Sequence, residues 1–292
     1  MILVWCIIAL VAPAHGDDLQ DQLSNAFSEI RVFNFGEAYK MYSDILPRTE
    51  KGSELWQEVT FCKAVCAQQR TPLQQESINE AKALYQSILD DTPTSRFAPR
   101  CTMNIGRIYE LQDFHGDKVD LEKARAFYLN TIDRWPHARI ASEAAVRVAG
   151  TYIQTYQSNQ VVKGIRFLEK WLDDHPEDPL APVMWQYLGN TYMYPVENYE
   201  QAVRSYMMAD DLGILTKSTR GMIYWNIAQM AENQMSNRNI AVQYYTKIIT
   251  DEPTSGKAYE AQVALRRLGA PVPEITIFKS GKDISPADAE SK

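Results

Sequence analysis

The stretch Trp185-Gln186-Tyr187-Leu188-Gly189-Asn190-Thr191-Tyr192, followed by Asn198-Tyr199-Glu200-Gln201-Ala202 and then by Tyr206 and Ala209, decides how this chain is read. Trp185, Leu188, Gly189 and Tyr192 fall on one side of a helix, and so do Ala202, Tyr206 and Ala209, because residues three and four apart share a helix face. A small residue lets a neighbouring helix approach, and a large one four positions later fills the gap beyond it.

The second half of this pattern recurs along the chain. Ala81, Tyr85, Ile88 and Pro93 are spaced 4, 3 and 5, and the same spacing returns in Ala124-Tyr128-Thr131-Pro136, Gly164-Leu168-Trp171-Pro176 and Ala241-Tyr245-Ile248-Pro253. Ala38, Tyr42 and Ile45 repeat the first three positions, with Pro47 arriving early. Proline cannot continue a helix, so each one marks a turn. The prolines lie 43, 40 and 77 residues apart, and the last interval has room for the proline-less repeat at Ala202. First-helix positions equivalent to Leu188, Gly189 and Tyr192 are Ile105, Gly106 and Tyr109, then Val148, Ala149 and Tyr152, and more weakly Ile227 and Ala228.

The combination closely resembles the tetratricopeptide-repeat (TPR) signature W-x2-L-G-x2-Y…A-x3-F…P over roughly residues 20–269. The resemblance implies an all-α, right-handed superhelical solenoid of about six TPR-like helix pairs plus a capping helix. The units run longer than the family repeat of about 34 residues, and the extra residues are expected between the paired helices, at Gln69–Asn79 and Asp113–Asp120. The cap is expected at Lys257–Leu268, with Ala258, Ala261, Leu265 and Leu268 facing inward and Gly269 ending it.

Three segments follow: 1–16, 17–269 and 270–292. The first begins with an uncharged apolar run, Met1–Ala12, too short to cross a bilayer core of about 30 Å. With small residues at Ala14 and Gly16 it reads as a signal peptide cleaved before Asp17, although the usual basic start is missing. That predicts an exported chain, periplasmic or secreted, without stable membrane insertion after cleavage. The last segment reads as a flexible tail containing a short apolar run, Ile275–Phe278. The 292 residues carry a net charge of −7 and no long Lys/Arg run, which argues against a nucleic-acid partner. Cys62, Cys66 and Cys101 are an odd number for a disulfide framework and read as small buried hydrophobes.

Little in the sequence suggests chemistry, and the chain reads as a non-enzyme with no cofactor or metal. Acidic pairs occur at Asp90-Asp91, Asp173-Asp174, Asp210-Asp211 and Asp251-Glu252. A catalytic pair would occur once, so their recurrence at nearly the same phase of four repeats, at the end of each second helix, reads as solvated turn. No metalloprotease, phosphate-loop or serine-elbow motif is present.

In TPR superhelices the first helix of each unit lines the concave face. The resemblance therefore implies partner-facing positions one and five residues after the Trp-like site: Met103 and Arg107, Val146 and Gly150, Gln186 and Asn190, Trp225 and Gln229. The residues just after the first of these add Asn104, Arg147, Tyr187 and Asn226. Amides suit a peptide backbone, arginine a carboxylate, and aromatics act as rigid anchors. Such residues also serve ordinary contacts between helices. The expected function is a scaffold or adaptor of the cell envelope or secreted space that binds a protein or peptide segment in the groove. The alternative is an accessory helical domain associated with glycan or cell wall.

Overall fold

The computed structural model describes residues 17–213 and 217–274. Residues 1–16 and the apolar run at 275–278 lie outside the described residues. Among the described residues there are thirteen α-helices and no strand.

The chain divides into two compact units within helix α7. The first contains α1 (Asp17–Arg31), α2 (Phe35–Ile45, continued by a 3₁₀ turn), α3 (Glu54–Gln69), α4 (Gln75–Asp91), α5 (Ala98–Glu110), α6 (Leu121–Arg134) and the start of α7 (Arg139–Ile153). In it α1 packs on α2, α3 on α4 and α5 on α6, and each pair packs on the next. The second contains the end of α7, α8 (Ser158–Asp174), α9 (Ala181–Met193), α10 (Tyr199–Asp211), α11 (Lys217–Asn233), α12 (Arg238–Asp251) and α13 (Ala258–Arg267). Here α9 pairs with α10 and α11 with α12, and α13 closes on α12. Six pairs plus a closing helix result, as the repeat predicts.

The recurring side chains are the core. Ala38, Tyr42, Ile45, Ala81, Tyr85, Ile88, Ala124, Tyr128, Ala202, Tyr206, Ala209, Ala241, Tyr245 and Ile248 are all buried. The small first-helix residue lies against the aromatic ring of its partner. A Cβ on Gly106 would come within 2.6 Å of the Tyr128 ring; in α8 the small residue is on the second helix, and a Cβ on Gly164 would come within 2.8 Å of the Ala149 carbonyl on α7. Helix ends follow local chemistry. Pro93, Pro136, Pro176 and Pro253 each stand two residues after the last residue of α4, α6, α8 or α12. Asp120, Asn198 and Asn237 cap α6, α10 and α12 by accepting from the N–H three residues on. In four pairs the residue before the N-cap is left-handed: Phe33, Tyr156, Glu197 and Ser236, with φ of 61°, 55°, 55° and 53°.

One expected insertion is corrected. Helix α4 begins at Gln75, so Gln75–Asn79 forms its first turns and only 70–74 is left as connection. The α5–α6 connection, 111–120, is the long one. The cap is as expected, with Ala258, Ala261 and Leu265 buried and Gly269 left-handed after it. Ala270 and Val272 still pack on the last repeat.

Candidate functional site

Each tyrosine of the Ala-x3-Tyr pattern buries its ring, but its hydroxyl still requires a partner. In the first unit Tyr85 on α4 donates to Gln68 Oε1 on α3 at 3.1 Å and also bonds the side chain of Asn104 on α5. Tyr128 on α6 donates to Glu110 Oε2 on α5 at 2.6 Å, and the same oxygen accepts from Arg147 Nη1 on α7 at 2.7 Å. In the second unit Tyr206 on α10 donates to Asn190 Oδ1 on α9 at 2.7 Å and bonds Asn226 on α11. Tyr245 on α12 bonds Gln229 on α11 and donates to Glu232 Oε2 at 2.8 Å, and Glu232 is reached in turn by Arg267 on α13. Burial, then the neighbouring carboxylate, pushes the Tyr128 hydroxyl well above the usual phenol range, so it stays a donor.

A repeating polar ladder results. The second-helix tyrosine ties its own first helix to the first helix of the following pair. Leu168 occupies this place on α8 and has no hydroxyl. There the next first helix supplies the ring instead: the Tyr187 hydroxyl lies 3.6 Å from where a Cβ on Gly150 would stand.

The residues expected to face a partner divide accordingly. Met103 is a correction: it is 2% exposed, because α5 is packed against both α4 and α6 and keeps open only the strip bearing Asn104 and Arg107. Asn104, Asn190, Asn226 and Gln229 are half-buried, with polar atoms engaged by the tyrosine ladder. Arg147 is held by Glu110 and by Glu143 at 3.6 Å. Gln186 and Tyr187 are half-buried on α9. Trp225 sits beside Tyr245, ring centres 5.5 Å apart, with Lys257 Nζ 4.9 Å from its own ring centre. Arg107 shares with Arg147 an Nε buried without a hydrogen-bond partner but, unlike it, makes no ion pair among the described residues. It is half-buried. The structure thus brings Asn104 and Arg107 together on α5, Gln186, Tyr187 and Asn190 on α9, and Trp225, Asn226 and Gln229 on α11.

Gln68, Glu110 and Glu232 belong to the same ladder and are not among the sequence-predicted residues. Gln68 carries a signal in the sequence, since it stands five residues after Lys63, the Trp-like position of α3. The acidic pairs need one correction. Asp210 is not a solvated turn residue: its side chain is 7% exposed and accepts from Tyr224 at 2.7 Å, from Tyr244 at 3.2 Å and from Lys247. Three histidine, cysteine or acidic side chains do not converge as a metal site among the described residues.

No protein-family model matches the chain, and no curated protein matches it. Solved structures do. The C-terminal part of a TPR repeat-containing protein from Cytophaga hutchinsonii superposes with a TM-score of 0.57 at 16% identity, covering 85% of this chain and 87% of that one. PilW, a widely conserved type IV pilus biogenesis factor, superposes with a TM-score of 0.50 at 17% identity, covering 86% of this chain and 100% of that one.

The fold is a TPR-like helical solenoid.

Within this TPR-like frame the tyrosine ladder uses the positions two and five residues after the Trp-like site. The positions expected to face a partner and the inter-repeat bonds therefore overlap, and Arg107, Gln186 and Trp225 are among those outside the ladder.

Proposed function

We propose that the chain is a non-catalytic scaffold that binds a protein or peptide segment along the first helices of its repeats, in the concave groove that the TPR-like fold implies. The observation that carries this reading is the state of Arg107. Asp113 feels the charge of Arg107 but makes no ion pair with it, and the buried Nε has no hydrogen-bond partner, so the guanidinium keeps an unmade bond that a ligand could supply. A carboxylate of a bound segment would take it in two parallel bonds. Asn104 next to it supplies an amide contact within the first unit, and the second unit by itself offers Gln186 and Trp225. At 17% identity the likeness to a pilus biogenesis factor concerns the fold, so the reading rests on these side chains.

The place of action we propose is outside the cytoplasm, periplasmic or secreted, on the strength of the apolar 1–16 segment. N-terminal sequencing of the protein from its own cells tests this: a start at Asp17 supports export, and a retained Met1 ends it. Crosslinking in those cells followed by mass spectrometry tests the scaffold. Arg107→Glu with Trp225→Ala removes the crosslinks to the main partner if the assignment is right. Unchanged crosslinks refute the groove.

A second reading is contact with glycan. It is favoured by Tyr156 and Tyr194, which are 81% and 65% exposed in the turns that follow α7 and α9. Retention on immobilised cell-wall glycan, lost in Tyr156→Ala/Tyr194→Ala, would select it over the protein scaffold.

A further inference from the structure

The connection 111–120 between α5 and α6 is ten residues long, whereas the α3–α4 connection has five and those after α7, α9 and α11 have four or five. The longer chain folds over the end of α5 instead of projecting from it. Asp120 N–H bonds the Tyr109 carbonyl at 2.8 Å, and Asp117 N–H bonds the Phe114 carbonyl at 3.1 Å. Beneath it is a cavity of about 390 Å³ lined by α4 (Gln75, Ile78, Lys82), α5 (Ile108, Tyr109) and the connection (Gly116, Asp117, Lys118). A hollow of about 500 Å³ adjoins it at the first turn of α6 and shares Tyr109 and Lys118. These volumes lie in the range of ligand sites.

The lining pairs positive charge with apolar surface. Ile78 and Ile108 form a buried floor. The Tyr109 ring stacks on Phe127, centres 5.8 Å apart, and has Lys82 Nζ 5.1 Å and Lys123 Nζ 5.5 Å from its centre. Two of the acids nearby are already engaged. Asp117 accepts from the backbone N–H of Asp113 at 3.2 Å and of Lys118 at 2.9 Å. Asp120 takes Lys123 Nζ at 2.8 Å, and Glu122 is exposed at the rim of the second hollow. Lys82 and Lys118 have no ion pair among the described residues. Two unanswered ammonium groups thus border one apolar floor, on a chain whose net charge is −7. The ring holds Lys82 by cation–π attraction, and a carboxylate arriving there would displace no internal partner.

We propose that this cavity is a second recognition site, separate from the groove. It takes an acidic side chain of a partner peptide between Lys82 and Lys118, with a neighbouring aliphatic side chain on the Ile78–Ile108 floor. An acid alone would find two half-solvated lysines, and an aliphatic group alone would leave the charges unanswered. The pair of chemistries makes the site specific.

The test uses the full chain with labelled isoleucine methyls and three probes: an acetylated hexapeptide alternating glutamate and leucine, one alternating lysine and leucine, and inorganic phosphate. The glutamate–leucine peptide is expected to shift the Ile78 and Ile108 methyl resonances and to bind at least tenfold more weakly to Lys82→Gln/Lys118→Gln. It should weaken as salt is raised. Because Lys82 and Lys118 make no ion pair among the described residues, the double variant should keep the parent's thermal midpoint, and Lys82→Ala/Lys118→Ala is the second check. Unmoved methyls, equal binding to the double variant, or equal shifts from the lysine–leucine peptide would overturn the proposal. Shifts produced by phosphate but not by the acidic peptide would reassign the cavity to a small anion and overturn it as a peptide site. The groove is read from partner crosslinks and this site from the Ile78 and Ile108 methyls, so the two proposals fail separately.

Discussion

Gly189 on α9 stands so close to Tyr206 on α10 that a Cβ there would lie 2.7 Å from the ring. Gly106 and Tyr128 repeat the relation at 2.6 Å. Both rings are fully buried and cannot move aside. Gly189→Ala is therefore expected to destabilise by about 1–3 kcal/mol through overpacking. Gly36 in α2 has nothing within 4 Å of its Cβ position, and Gly36→Ala should stabilise by about 0.5–1 kcal/mol through helix propensity. Urea unfolding of the two variants should move in opposite directions.

Asp210 joins three helices through one carboxylate. Asp210→Asn weakens the Lys247 pair and the acceptor shared by Tyr224 and Tyr244, and should cost about 2–4 kcal/mol. Its neighbour Asp211 is exposed, so Asp211→Asn should stay within about 0.5 kcal/mol. Thermal midpoints of the pair check the contrast, and equal effects would refute the buried role.

Asp113 has the opposite pH behaviour from a salt-bridged carboxylate. Burial, and then the charge of Asp117, pushes its carboxyl up to about 6, against a pull from Arg107, and one of its oxygens is buried without a hydrogen bond. The folded state therefore holds this proton more tightly than the unfolded chain, whose aspartates titrate near about 3.9. Stability contributed at low pH is lost as pH rises from about 4 through about 6. Asp113→Asn should flatten urea midpoints across that window relative to the parent. Parallel profiles would contradict the assignment.

The three cysteines of the described residues are buried and form no disulfide among themselves. Burial pushes the Cys66 thiol up to about 12 and raises Cys101 as well. A thiol-specific reagent at neutral pH should label none of the three in the native protein and all of them in denaturant. Rapid native labelling of Cys62 or Cys66 would contradict that burial.

Helix pairing was legible because it depends on spacing alone. Ala81-Tyr85-Ile88 and its copies must share a face whatever surrounds them, and the prolines two residues past each helix end cannot be helical interior. The candidate site was less legible because its chemistry is decided across the repeat. Asn190 looks the same in sequence whether it faces a ligand or Tyr206, sixteen residues away. Asp210 belongs to a pair at nearly the phase of Asp90-Asp91, and Tyr224, Tyr244 and Lys247, 14, 34 and 37 residues on, remove it from solvent. Met103 was misplaced because its burial depends on both flanking helices. Gln75–Asn79 was misread because nothing in those five residues marks where α4 begins.

The left-handed residue that precedes the N-cap in four of the six pairs makes those connections equivalent parts. Each turns the chain with the same backbone step, whatever its side chain. A connector moved from one of these pairs to another, with Phe33-Asn34 replaced by Ser236-Asn237 for example, should leave the pairing of its helices undisturbed. Where Phe33 and Tyr156 hold the left-handed step at a cost of about 1 kcal/mol each, asparagine or glycine would release it. The protein thus keeps a reserve of unclaimed thermal tolerance in its most exposed corners.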